Sequence, residues 1–291
     1  MGPPRKSGFG SLGVQRPGSF SRWHVASSAA LRRLCRTRAV ILGYHGVADC
    51  PRDDDQCMLQ LPPAKLRVQL ERLLAAGFRF VTVAELARRA AGQAPPPGLA
   101  AVTFDDGMRN VLTAGLPILT ELGIPATVYA PTGWLGGRSP WIGPGSDGAI
   151  LTAGELQELA AAGWELGSHT RTHADLSTLD YDGCRREIDA SCQVLESIAG
   201  RRVRTLAYPF GRYGAHSIAA ARDAGLVAAV ATCSRSWKPY ELTRAMIGSA
   251  DPFPVVLLKL TDRCDSLLRS TPLRLARRAT EHAREYRLRH R

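Results

Sequence analysis

The stretch Leu99-Ala-Ala-Val-Thr-Phe-Asp-Asp-Gly107, LAAVTFDDG, runs an apolar segment directly into two adjacent carboxylates and a glycine. Asp and Gly are ordinary turn residues, and a solvated turn is one way to read them. Two like charges where a buried strand emerges also suit a site in which each carboxylate has its own task. Successive side chains diverge at a strand end, so one carboxylate can reach a cation while its neighbour faces an attacking water. A cation held by one would keep the other ionised, as a general base requires.

On either side of this stretch, short apolar runs alternate with longer segments of helical spacing. Residues 39–45 (AVILGYH) read as a strand, and 62–78 as a helix opened by Pro62 and Pro63 and closed near Gly77. RFVTVAEL is a strand or turn leading into another helix, and VLTAGLPILTELG a helix after the acidic pair. IPATVYAPTGW is a strand, and TAGELQELAAAGW a helix whose Thr152 and Glu155 have capping-box spacing. ELGSHTRTH, the helix 181–200, VRTLAYPFG and AHSIAAARDAGLVAAVAT continue the alternation. Strand–helix repetition of this kind predicts parallel strands with right-handed crossovers. Six or seven such units suit an incomplete barrel better than a short open sheet.

In parallel α/β architectures the functional side chains stand at the carboxyl ends of strands. That filter selects four clusters, each just past an apolar run: His45, Asp105/Asp106, His169/His173, and Tyr208-Pro209-Phe210-Gly211. Two imidazoles four residues apart in a compact loop can converge on one cation. Two His and one carboxylate make a common catalytic ligand set that leaves room for water and substrate.

Composition bounds the remaining readings. The chain has 291 residues, 45% of them hydrophobic, which allows one large α/β domain or two small ones. Its net charge of +12 resides in the ends. The first 38 residues hold eight Lys/Arg and no Asp/Glu, the last 29 hold nine and three, and the body between carries the remaining −2. Nucleic acid is therefore not expected as a partner. Three segments are expected: a basic leader over 1–38, disordered or helical, a catalytic body over 39–262, and a basic helical tail over 263–291. Residues 22–38 have the pattern of a basic amphipathic helix that could rest on an anionic membrane or pack on the body. No run reaches the ~20 apolar residues of a membrane span, and the first forty residues lack a secretory apolar segment. The expectation is a cytoplasmic protein, with peripheral contact at the inner membrane surface open to its basic ends. Seven scattered cysteines without a CxxC pair fit reduced thiols, although Cys50 and Cys57 could close a short loop. No GxSxG follows a strand and no GKS/T occurs, so serine-hydrolase and P-loop chemistry find no support.

TFDDG, HTRTH and YPFG together resemble the first three motifs of the polysaccharide deacetylases, the NodB-homology domains of carbohydrate esterase family 4. The resemblance spans roughly residues 39–250. It implies a distorted (β/α)7 barrel and one divalent metal, most often Zn2+, with Co2+, Ni2+ or Fe2+ as alternatives. The implied substrate is an acetylated saccharide, N-acetylated and sometimes O-acetylated. Carried over by position, Asp105 matches the catalytic base, Asp106 the metal carboxylate, and His169 and His173 the metal imidazoles. Phe210 stands where the family often has Tyr, whose backbone N–H helps bind the oxyanion, a donor that the change of side chain leaves in place. Ala207 stands where many members carry an Arg that orients the catalytic Asp, and Arg244 is the candidate substitute. The family's last motif brings a His from an apolar strand, but PFPVVLLKL (252–260) has none. ILGYHGV resembles a subgroup that deacetylates exopolysaccharide poly-N-acetylglucosamine, in which the motif order is permuted and this first-strand His, here His45, takes the place of the general acid. Trp134, Trp141 and Tyr208 could stack on sugar faces or belong to the core. The missing C-terminal His and the Ala at the Arg position leave a catalytically impaired carbohydrate-binding member as the alternative.

Overall fold

The computed structural model describes residues 19–49, 59–142, 148–232, 234 and 236–261, with side chains from residue 28 onward. In chain order, α1 (Ser19–Thr37) leads into β1 (Val40–Tyr44), and the short β2 (Gly46–Val47) and β3 (Gln60–Leu61) pair with each other. There follow α2 (Pro63–Ala75), β4 (Arg79–Phe80), α3 (Val83–Ala90), β5 (Leu99–Phe104), α4 (Leu116–Glu121), β6 (Ala126–Ala130) and α5 (Ala153–Ala161). The order ends with β7 (Glu165–Ser168), α6 (Tyr181–Ala199), β8 (Thr205–Ala207), α7 (Ala215–Asp223), β9 (Ala228–Thr232), β10 (Leu242–Met246) and α8 (Phe253–Leu260).

Strands β5, β6, β7, β8, β9, β10 and β1 lie side by side in that order, all parallel, and β1 returns to β5. The ring is closed at seven strands, the distorted (β/α)7 barrel that the resemblance implies. β1 occupies one edge of β5 along its whole length, so β4 shares the other edge with β6. β4 is only two residues long and leads into α3. The Val83 N–H donates to Thr127 Oγ1 (3.1 Å) and the Ala84 N–H to Glu165 Oε2 (3.0 Å). Val83 and Leu86 pack with Ile41, Leu99, Ala101, Tyr129, Ala207 and Val230 of the barrel interior. Alternate strand residues therefore fill the lumen, with Tyr129 the large side chain among small or branched ones, and a side chain at Gly167 would collide with the Tyr129 ring. The other strand face (Val40, Leu42, Tyr44, Val102, Phe104, Val128) meets the helices in a larger core.

Local signals explain the helices. Pro63 opens α2, where a missing N–H is harmless, and Leu66, Leu70 and Leu73 form its buried stripe. The Thr152–Glu155 capping box is present at α5, with both reciprocal bonds made. Thr152→Ala is expected to lower stability by about 1 kcal/mol, measurable by denaturant titration.

Three local details differ from the expectation. The helix after the acidic pair begins as a π turn (Val111–Gly115), in which the Leu116 N–H reaches back to the Val111 carbonyl. Pro117 has no N–H for the Thr113 carbonyl, which favours this wider turn. The apolar segment 252–260 is helix α8, not a strand. The last strand is instead β10, which carries Arg244. The leader contains α1, whose Leu31, Leu34 and Cys35 pack on the body against α2 and α8 while Arg32, Arg33 and Arg36 stay exposed. Residues 1–18, the Cys50–Cys57 loop and the tail over 263–291 lie outside the described residues. Among the described residues no helix is long and apolar enough to cross a membrane.

Candidate active site and metal centre

The predicted strand-end clusters gather at one mouth of the barrel. β1 ends at His45, β5 at Asp105 and Asp106, β7 at His169, and β8 at the Tyr208–Gly211 turn. Among the described non-glycine residues five have positive φ, and three are Asp106 (66°), His173 (64°) and Phe210 (59°). A fourth, Thr170 (65°), follows His169, while Ala91 caps a helix. A backbone held in this region costs free energy that the surrounding structure must offset, and such residues concentrate where side chains must be aimed.

The adjacent carboxylates diverge, as strand geometry requires. Asp105 turns into the barrel, where Arg244 grips it with two bonds, Nη1 to Oδ1 (2.6 Å) and Nη2 to Oδ2 (2.7 Å). The same Nη1 donates to Thr103 Oγ1 (3.1 Å), whose own hydroxyl donates to the Leu42 carbonyl (2.9 Å). The Arg244 side chain is fully buried, 5.7 Å from the Tyr129 ring centre. Burial pushes the Asp105 carboxyl up, but the charge and hydrogen bonds of Arg244, with the neighbouring histidines, outweigh it and hold the carboxyl below its ordinary value.

Asp106 turns the other way. Its Oδ1 lies 3.3 Å from Nε2 of both His169 and His173. One ligand atom from each of the three residues falls within 4.8 Å of the other two. His169 Nδ1 is 2.8 Å from the Ala207 carbonyl, which places the proton on Nδ1 and turns the Nε2 lone pair toward Asp106. Burial works against charge on both imidazoles. At His173 it prevails and favours the neutral, ligating form. At His169 the two carboxylates overcome it and raise the pKa. Asp106 is pushed up by burial yet held well below its usual range by the two histidines.

This donor set fits a divalent cation of the zinc type: two imidazole nitrogens and one carboxylate oxygen, buried and mutually close, with one imidazole locked from behind.

The loop between the histidines is held from two sides. Glu187 of α6 accepts from the backbone N–H groups of Arg171 (3.0 Å) and Thr172 (2.8 Å) and from the Thr172 hydroxyl (3.0 Å). From the opposite side the Gly133 N–H donates to the Arg171 carbonyl (2.7 Å) and Trp134 Nε1 to the Thr172 carbonyl (3.2 Å). His45 is half-buried at the end of β1, near enough for its charge to act on both carboxylates. Asn110 fixes the chain just beyond it, accepting from the Val47 N–H (3.0 Å) and donating to Gln60 Oε1 (2.7 Å). Phe210 is 57% exposed and its ring stands edge-on to His173 at 4.8 Å. Among the described residues its backbone N–H has no hydrogen-bond partner.

Residues 92–229 match the family model for polysaccharide deacetylase. Over that stretch the chain carries a polysaccharide deacetylase domain. Among curated relatives in the family, YxkH of Bacillus subtilis, a polysaccharide deacetylase by name, is 24% identical over 212 residues, 71% of this chain and 70% of that one. The poly-β-1,6-N-acetyl-D-glucosamine N-deacetylase of Escherichia coli is 31% identical over 118 residues, 40% of this chain but only 16% of that enzyme. The deacetylase PplD of Streptococcus pyogenes has the same fold, with a TM-score of 0.64 at 23% identity, covering 77% of this chain and 98% of that one.

Not every expected residue faces the barrel mouth. Tyr208 is wholly buried in the outer core, stacked on Tyr213 and donating to the Tyr240 carbonyl (3.1 Å), so it cannot meet a sugar. Pro209 is buried too, and of the YPFG turn it is Phe210 that projects. Trp141 is neither a free platform nor core: it touches two of the three candidate metal residues. Sequence reasoning passed over Thr103, Asn110 and Glu187, which carry no motif and become visible only through their partners.

Proposed function

We propose that this protein is a divalent-metal-dependent hydrolase that removes acetyl groups from N-acetylated sugars and releases acetate. Its substrate is a poly- or oligosaccharide of exopolysaccharide or cell-wall type. The observation that carries this reading is the division of the acidic pair, one carboxylate facing two imidazoles and the other clamped by a buried arginine.

A divalent cation bound by Asp106, His169 and His173 would polarise the acetyl carbonyl and acidify a water. Asp105, kept ionised by Arg244, takes the proton from the attacking water. The Phe210 N–H donates to the oxygen on which negative charge develops, and as a fixed backbone dipole it needs no rearrangement to do so. His45, approaching from β1 on the other side, protonates the departing amine nitrogen. The position of Arg244 supports this active reading over a catalytically impaired carbohydrate binder. The carboxylate that an arginine at position 207 would have oriented has a guanidinium from β10 instead.

The test is acetate release from poly-N-acetylglucosamine fragments and chitooligosaccharides. Activity should fall to background in a strong chelator and return on adding one equivalent of Zn2+ or Co2+. Release that chelation does not change would reject the metal-dependent mechanism. Binding of these sugars without acetate release would favour the impaired alternative.

A further inference from the structure

Trp141 lies 35 residues beyond Asp106 in the chain, in a loop that folds back onto the barrel mouth. The loop is tied down beside the acidic pair by the Leu151 N–H on the Gly107 carbonyl (2.8 Å), the Ile150 N–H on the Gly137 carbonyl (3.0 Å) and the Ser139 N–H on the Gly148 carbonyl (2.8 Å). These bonds carry Trp141 to the back of the candidate metal centre. Its Nε1 donates to Asp106 Oδ2 at 2.9 Å. Its ring lies flat on the His173 imidazole, with centroids 4.0 Å apart and planes within 9°. Trp134 packs edge-on against its other side at 6.0 Å.

The geometry points to Trp141 as a positioning residue that sets the affinity of the centre for its cation. The inference rests on the metal-dependent reading above. A lone carboxylate can rotate and present either oxygen. With Oδ2 engaged by the indole, Oδ1, which faces both Nε2 atoms, is the oxygen left for a cation. The flat contact with His173 fixes the second ligand in the same stroke, since the imidazole cannot swing without losing that stacked surface. Partners behind the ligands typically govern metal affinity by 10- to 100-fold because they remove the freedom that binding would otherwise have to quench.

The test measures metal binding, not turnover. The 291-residue chain is stripped of metal, and Zn2+ is titrated in competition with a chromophoric chelator while tryptophan fluorescence is followed. Trp141→Phe keeps a stacking ring and removes only the N–H donor, so it should weaken Zn2+ about 10-fold or more with the metal-free Tm unchanged. Trp141→Ala also loses the stack and should weaken Zn2+ further. The wild-type fluorescence change on adding Zn2+ should be absent in both variants and retained in the remote variant Trp237→Phe. Trp141→Phe that binds Zn2+ as tightly as wild type overturns the positioning role while leaving the metal reading intact. Wild-type chain that takes up no Zn2+ overturns both.

Discussion

Asp105→Asn is expected to lower acetate release by about 10²- to 10⁴-fold, the contribution of a positioned general base, with one Zn2+ still bound per chain. The asparagine amide keeps the size of the side chain and can still accept from Arg244 through its oxygen. It cannot accept a proton from water at neutral pH. Asp106 and the two histidines are untouched, because the paired carboxylates point apart and only Asp105 bonds to Arg244. Measuring kcat and metal content on the same preparation separates loss of the base from loss of the cation. Wild-type turnover in the variant would remove Asp105 from the mechanism, and loss of Zn2+ along with activity would show that the division of labour is wrong.

Arg244→Met is the second large effect, and it should appear in stability as well as in rate. The pair is buried on both sides, with relative exposures of 0% for the Arg244 side chain and 6% for that of Asp105. Removing one partner from such a pair strands the other charge without water, at a cost of about 3–5 kcal/mol. For a protein of this size that corresponds to a fall in Tm of roughly 6–20 °C. Turnover should fall too, since an unclamped Asp105 would rotate and lose its ionised form to burial. Arg244→Lys restores the charge but not the two-pronged grip, so it should recover more stability than activity. In a double-mutant cycle, Asp105→Asn combined with Arg244→Met should cost less than the sum of the single changes, because no buried charge is left alone. Additive losses, or an Arg244→Met protein that melts and turns over as wild type does, would mean that the ion pair is incidental.

How far the molecule could be read in advance differs element by element. LAAVTFDDG and ELGSHTRTH end strands where their patterns say they should, and at both the candidate site residues stand at the strand end. The Thr152–Glu155 cap is a local hydrogen-bond signal and forms as written. The segment 252–260 misleads, because a short apolar run has no periodicity to separate strand from buried helix. Pro252 and Pro254, at the positions where a helix begins, are its better guide. β10 is harder to see, because Leu242-Thr-Arg-Ala-Met246 has no continuous apolar run and carries a charge at its centre. That charge is tolerated inside a barrel only because Asp105 meets it there.

By itself the sequence determined the alternation of strands and helices, the ends at which chemistry could sit, and the residue types on offer. Periodicity and turn chemistry act over a few residues, so they are written locally. The tertiary structure alone decided the partners: Arg244 on Asp105, Trp141 behind Asp106, Glu187 under the histidine loop, and Tyr208 turned into the core. Each of these depends on ring closure bringing distant strands to one mouth and on which way a side chain points once its neighbours are packed. Sequence spacing between such residues does not encode either.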